Sequence, residues 1–139
     1  MSMERRLLLV EDDQGIREAL SDLLEELGYQ TLVATDGRRG LELARQQSEP
    51  CAVLLDWRLP ILDGAAFLEG LRSLPRGAEF PVILSTADRS VLPSAVGGVV
   101  GILSKPFDVD ALLALIDEAQ RRLESPSLAE HAPAATRIR

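Results

Sequence analysis

Residues 51–64 read C-A-V-L-L-D-W-R-L-P-I-L-D-G. Residues 52–55 are a short, continuous apolar run of the kind that fits a strand buried on both faces, as in a parallel sheet. The run ends abruptly at Asp56, and the chain then turns through Pro60 and Asp63-Gly64. A carboxylate at the exit of a buried strand costs free energy unless something compensates it. In open α/β sheets that exit is also where sites are built. Asp56 is therefore a candidate nucleophile, with the rest of the chain placing partners around it.

The flanking sequence repeats this pattern. Residues 7–10 are a second apolar run that ends in acid, Glu11-Asp12-Asp13. Ile16, Leu20, Leu23, Leu24 and Leu27 then follow a helical spacing with one buried stripe, and Gly28 is a good helix terminator. Residues 30–34 alternate weakly, as an outer strand does. Asp36 can cap a helix over 38–47, and Asp63 a third helix carrying Phe67, Leu68 and Leu71. Residues 81–85 read as a fourth strand that exits into Thr86; Pro81 is tolerated at a strand's first residue. A short fifth strand, 101–103, ends at Ser104-Lys105-Pro106. Asp108 caps a last helix with Leu112, Ile116, Ala119 and Leu123 on one stripe. Arg121 and Arg122 at its end suit the helix dipole.

Five strands alternating with helices predict an α/β fold, a three-layer α/β/α sandwich around a parallel sheet. Right-handed crossovers put every strand exit on one edge. Glu11, Asp12, Asp56, Thr86 and Lys105 then become neighbours in space, each at the exit of an apolar strand. Residues 1–124 form one domain on this reading. Residues 125–139, with two prolines and no apolar period, are expected to be a disordered tail or a truncated linker.

Composition narrows the function. The net charge of −7 argues against a chain built to grip nucleic acid directly. No apolar run approaches the ~20 residues of a membrane helix, and residues 1–6 are not followed by a signal-peptide core. A soluble cytoplasmic protein without membrane contact is expected. Cys51, the single cysteine, reads as a small buried hydrophobe rather than a reactive thiol.

Three carboxylates meeting at one edge repel each other unless a cation sits among them, and hard oxygen ligands suit Mg²⁺ or Mn²⁺. A lysine opposite can neutralise a transferring phosphoryl group, and a threonine hydroxyl can hydrogen-bond one of its oxygens. Around a nucleophilic carboxylate this is apparatus for phosphoryl transfer.

The acids in L-L-V-E-D-D, the D-W-R-L-P-I-L-D-G segment, the S-T-A segment and the K-P-F segment together resemble the receiver domain of two-component response regulators. They stand in that family's order over residues 6–123. The resemblance implies a flavodoxin-like fold with a five-stranded parallel sheet of order 2-1-3-4-5. It makes Asp56 the phosphoacceptor, Asp12 the main metal ligand with Glu11 as its acidic partner acting partly through water, and the backbone carbonyl of Arg58 a further ligand. Thr86 becomes the switch hydroxyl, Lys105 the phosphoryl-binding lysine, and Lys105-Pro106 the place where the family often has a cis peptide. Asp13 reads instead as a helix-start residue. The implied donor is the phosphohistidine of a sensor histidine kinase or phosphotransfer protein. Beyond it come an unidentified downstream protein target and a homodimer linked to phosphorylation. Such a chain is no enzyme beyond its own phosphotransfer and dephosphorylation.

Two features depart from the family pattern. Ile102 stands where the family usually has a switch aromatic, three residues before the lysine. The interval from Thr86 to Lys105 is about one helical turn short, and it contains Pro93 and Gly97-Gly98. The helix expected between the fourth and fifth strands should therefore be short or irregular, and partner recognition should not use an ordinary face there. These departures keep a second reading open, a receiver-like adaptor with weak or no phosphorylation that binds partners constitutively. A flavodoxin-type flavin carrier is disfavoured, because acids stand where a phosphate loop would follow the first strand. Arg58 and Asp88, each two residues beyond a site residue, are candidates to pair across the site mouth and slow water's attack on a phosphoryl group.

Overall fold

Every central strand is apolar on both sides, and the chain satisfies this by sandwiching the sheet between helices. The computed structural model describes residues 5–88, 98–106, 108–124 and 136–138. The strands are β1 (Arg5–Val10), β2 (Tyr29–Ala34), β3 (Ala52–Asp56), β4 (Val82–Thr86), β5 (Val99–Ser104) and β6 (Thr136–Ile138). Among the described residues the α-helices are α1 (Gln14–Glu26), α2 (Gly37–Arg45), α3 (Gly64–Arg72) and α4 (Val109–Glu124). All strand pairs are parallel, in the order β2-β1-β3-β4-β5-β6.

The period of two along each strand divides the core. Leu8, Val10, Val53, Leu55, Leu84 and Ile102 pack with Ala44 of α2 and Phe67, Leu68 and Leu71 of α3. Leu7, Leu9, Ala52, Leu54, Ile83 and Leu103 pack on the other face with Leu20 and Leu24 of α1 and Leu112, Leu115 and Ile116 of α4. The three-layer sandwich is as the alternation of strands and helices predicted, and the 2-1-3-4-5 order of the first five strands is as the family resemblance implied.

The helix starts follow the capping chemistry. The carboxylates of Asp13, Asp36 and Asp63 accept hydrogen bonds from the backbone N–H of Ile16, Arg39 and Ala66, each at 2.9 Å. Asp13 is thus a cap, and Gly28, at φ +90°, closes the end of α1.

The sheet differs from expectation at its far edge. β5 is longer than the 101–103 run, and a register shift between Val82 and Ile83 leaves Val100 as an extra residue opposite β4. β6 adds a sixth strand, with Gly101, Ile102 and Leu103 opposite Thr136, Arg137 and Ile138. A disordered tail over 125–139 did not anticipate this strand. Three residues with no apolar period carry no strand signal of their own, and the pairing depends on the edge that β5 offers. The irregular helix expected around Pro93 and Gly97 falls on residues 89–97, outside the described residues.

Phe67 is fully buried between α2, α3 and the sheet, and Gly40 of α2 lies so close that a Cβ there would sit 2.9 Å from its ring. Phe67→Ala is expected to lower the unfolding free energy by about 3–5 kcal/mol in urea titration. A loss below about 1 kcal/mol would mean the α2–α3 layer is not packed as described.

Candidate functional site

The carboxyl ends of β1, β3, β4 and β5 each deliver one side chain or pair to the same edge, and the ladder fixes their backbones. The N–H of Glu11 donates to the carbonyl of Ala34 at 3.0 Å, that of Trp57 to Ser85 at 2.9 Å, and that of Lys105 to Thr86 at 2.7 Å. Each strand exit is therefore tied to its neighbour one residue past, or at, the functional position. The Lys105-Pro106 peptide is cis, as the resemblance implied.

Glu11, Asp56 and Thr86 are buried, whereas Asp12 is exposed. One carboxylate oxygen from each of Glu11, Asp12 and Asp56 lies within 4.8 Å of the others. The Lys105 ammonium donates to Glu11 Oε1 at 2.9 Å and lies 3.3 Å from Asp56 Oδ2. The other Asp56 oxygen, Oδ1, accepts from the N–H of Arg58 at 3.2 Å. Thr86 Oγ1 accepts from the N–H of Asp88 at 3.0 Å. All five residues singled out at the strand exits are brought to this edge, and Arg58 stands beside Asp56 through its amide.

The electrostatics of the cluster follow from burial and like charge. Burial is the main reason the Asp56 carboxyl is pushed up to about 6; a hydrogen bond with Glu11 and the charge of Glu11 add to it, while Lys105 and the Arg58 amide oppose it. Burial works against the charge of Lys105, but its hydrogen bond to Glu11 and the Asp56 charge outweigh it, so its pKa is raised. Lys105 is thus a fixed cation at neutral pH. Three carboxylates against one ammonium leave the edge net negative, with oxygen donors only, which fits Mg²⁺ and other hard divalent ions.

Two features escaped the sequence reading. Arg17, on α1, donates through Nη1 to the carbonyls of Glu11 at 3.1 Å and Asp12 at 3.0 Å, and so holds the acidic turn in shape. Its signal was a lone arginine one turn into a helix, indistinguishable from a solvated charge. Lys105 also bonds Glu11 more closely than Asp56, a contact that the resemblance did not imply. The Arg58–Asp88 pair is present at 3.3 Å. Trp57 packs against the α2–α3 side of the core and against Gly64, where a Cβ would meet the Trp57 carbonyl oxygen at 2.7 Å. Burial pushes the Cys51 thiol up to about 11, which leaves it inert. No helix among the described residues is long and apolar enough to cross a membrane.

The geometry matches known proteins. The chain is 36% identical over 130 residues to "DNA-binding dual master transcriptional regulator RpaA" of Synechocystis sp., which covers 91% of this chain and 54% of that protein. It is 38% identical over 117 residues to "Protein Rrf1" of Nitratidesulfovibrio vulgaris, covering 84% of this chain and 83% of that one. It spans about half the length of RpaA and of "Response regulator MprA" of Mycolicibacterium vanbaalenii, of which 52% is covered. Among solved structures it superposes, with a TM-score of 0.74 and 30% identity, on the receiver domain of sensor histidine kinase PA1611 from Pseudomonas aeruginosa. That match covers 84% of this chain and 98% of that one, which is described with a magnesium ion coordinated in its active site cleft. Residues 7–117 match the family model described as "Response regulator receiver domain", and the chain belongs to the response regulator receiver family.

Proposed function

We propose that this chain is a phosphorylation-controlled receiver that takes a phosphoryl group onto Asp56 from the phosphohistidine of a sensor histidine kinase or phosphotransfer protein, and that it signals in the cytoplasm by protein contact. The observation that carries the reading is the Lys105 ammonium 3.3 Å from Asp56, inside a ring of two further carboxylates. Direct nucleic-acid binding by these residues and membrane contact form no part of the proposal, and a homodimer linked to phosphorylation is compatible with it.

An Asp56 oxygen attacks phosphorus, the P–N bond breaks, and the imidazole leaves with the electron pair. Lys105 pairs with the negative charge on the transferring group, which is fixed charge placed where charge accumulates. A bound Mg²⁺ or Mn²⁺, held by Asp12, Asp56, Glu11 and the Arg58 backbone carbonyl, would supply charge neutralisation and ligation of a phosphoryl oxygen. The Thr86 hydroxyl, turned from its Asp88 contact, can donate to another. Ile102 is fully buried opposite Leu84, so no aromatic ring swings there when Thr86 moves. That observation favours the second reading, an adaptor that binds partners without the switch.

Incubation with phosphoramidate and Mg²⁺, followed by intact mass, separates the two. The expected result is one added phosphoryl group, absent in Asp56→Asn and slowed by roughly 10²–10³ in Lys105→Ala. An unmodified wild-type chain would favour the adaptor.

The Arg58–Asp88 pair spans the site mouth at 3.3 Å. Arg58→Ala is expected to speed dephosphorylation severalfold; an unchanged rate would remove that role.

The raised carboxyl pKa also makes a stability statement. An unfolded aspartate titrates near 4, while burial and the neighbouring Glu11 push the Asp56 carboxyl up to about 6 in the fold. Between these values the native state binds more protons than the unfolded one, so stability falls as pH rises through the window. In EDTA at about pH 7.5, Asp56→Asn should be more stable than wild type by about 1–2 kcal/mol, and the difference should vanish near pH 4. A less stable Asp56→Asn at neutral pH would contradict the strained carboxylate.

A further inference from the structure

One crossover in the fold runs against the others. α1 packs on one face of the sheet and leads from β1 outward to β2. α2 and α3 pack on the opposite face and lead the other way along the sheet, from β2 to β3 and from β3 to β4. Reversing both face and direction keeps the hand, so these three connections share one handedness. α4 shares the face of α1, yet it leads from β5 to β6, away from β2. The β5-α4-β6 connection therefore has the opposite hand. Parallel crossovers are right-handed in about 98% of cases, because a right-twisted strand feeding a right-handed helix packs back onto the sheet only that way. α4 is firmly seated, with Leu112, Leu115, Ile116 and Ala119 buried against the sheet. The member at odds with the topology is β6.

The pairing itself obeys the ordinary rules. β5 and β6 run parallel, with Gly101, Ile102 and Leu103 opposite Thr136, Arg137 and Ile138. β5 reads V-V-G-I-L-S, with no charge and no proline to discourage a further strand on its outer side. Residues 125–135 separate α4 from β6, about twice the length of the longest common helix-to-strand connections. A segment of that length can reach at most roughly 35–40 Å, more than the ~30 Å diameter of a small domain. It can carry 136–138 to the β5 edge of a second molecule, where the same ladder forms without the disfavoured crossover.

We propose that β5 is a strand-acceptor edge that takes residues 136–138 from a second copy of this chain, so that two molecules exchange β6 reciprocally about a two-fold axis. Each copy keeps α4 on its own core and gives only β6. The exchange needs neither Asp56 nor a phosphoryl group, which separates it from a phosphorylation-linked homodimer and makes it independent of the receiver reading.

The test is sedimentation equilibrium of the full chain over roughly 1 μM to 1 mM, beside three variants. Asp56→Asn removes the phosphoacceptor. A chain truncated after Ala135 lacks β6. The double variant Arg137→Pro with Ile138→Pro loses the N–H of two successive residues, so the ladder breaks whichever of them donates. The last two leave both apolar cores intact, and circular dichroism and urea midpoints at the lowest concentration should match wild type. Wild type and Asp56→Asn should double in mass alike as concentration rises, while the two β6 variants stay monomeric throughout. A wild type that stays monomeric would overturn the proposal. So would a dimer that survives in both β6 variants, one that Asp56→Asn abolishes, or growth of the wild type beyond two copies.

Discussion

One ammonium group holds the edge of this sheet together. Lys105, just past the end of β5, reaches past β4 to Glu11 at 2.9 Å, one residue beyond β1, and to Asp56, the last residue of β3, at 3.3 Å. Both carboxylates are buried, and neither would tolerate the other there without a cation between them. The lysine does not cancel the cluster, since Asp12 adds a further oxygen within 4.8 Å. The remaining negative charge among oxygen donors is what a hard divalent ion would neutralise. Helices bury both faces of the sheet beneath this edge, so the carboxylate at Asp56 is set on a closed apolar core.

The precision of the site comes from the ladder rather than from the loops. Glu11, Trp57 and Lys105 each donate a backbone hydrogen bond to the adjacent strand, so the side chains issue from backbone that cannot shift independently. Arg17 ties the carbonyls of Glu11 and Asp12 from α1. The loops supply what rides on this frame: the Arg58–Asp88 pair and the cis bond before Pro106.

Much of this was legible in the sequence because one physical rule repeats. A fully buried parallel strand is a run of apolar residues, and a polar residue at its exit is conspicuous against that background; Asp56, Glu11, Asp12, Thr86 and Lys105 were all found this way. The capping aspartates were legible too, since their side chains bond backbone only a few residues ahead. What escaped depends on contacts distant in sequence or on backbone geometry. β6 is three residues whose pairing is decided by the free edge of β5. The extra residue at Val100 is set by strand register. The Arg17 contacts need the acidic turn already in place, and the positive φ of Ile61 contradicts the preference of its own side chain.

Trp57 is the only tryptophan in the chain and directly follows Asp56, so its emission is expected to respond to a change at the acidic cluster. Titration of the purified chain with Mg²⁺ is the most direct test of a pocket with net negative charge and oxygen donors. A saturable change in Trp57 emission, lost in Asp12→Asn, is the predicted result. A flat titration, or one that Asp12→Asn leaves unaltered, would contradict it.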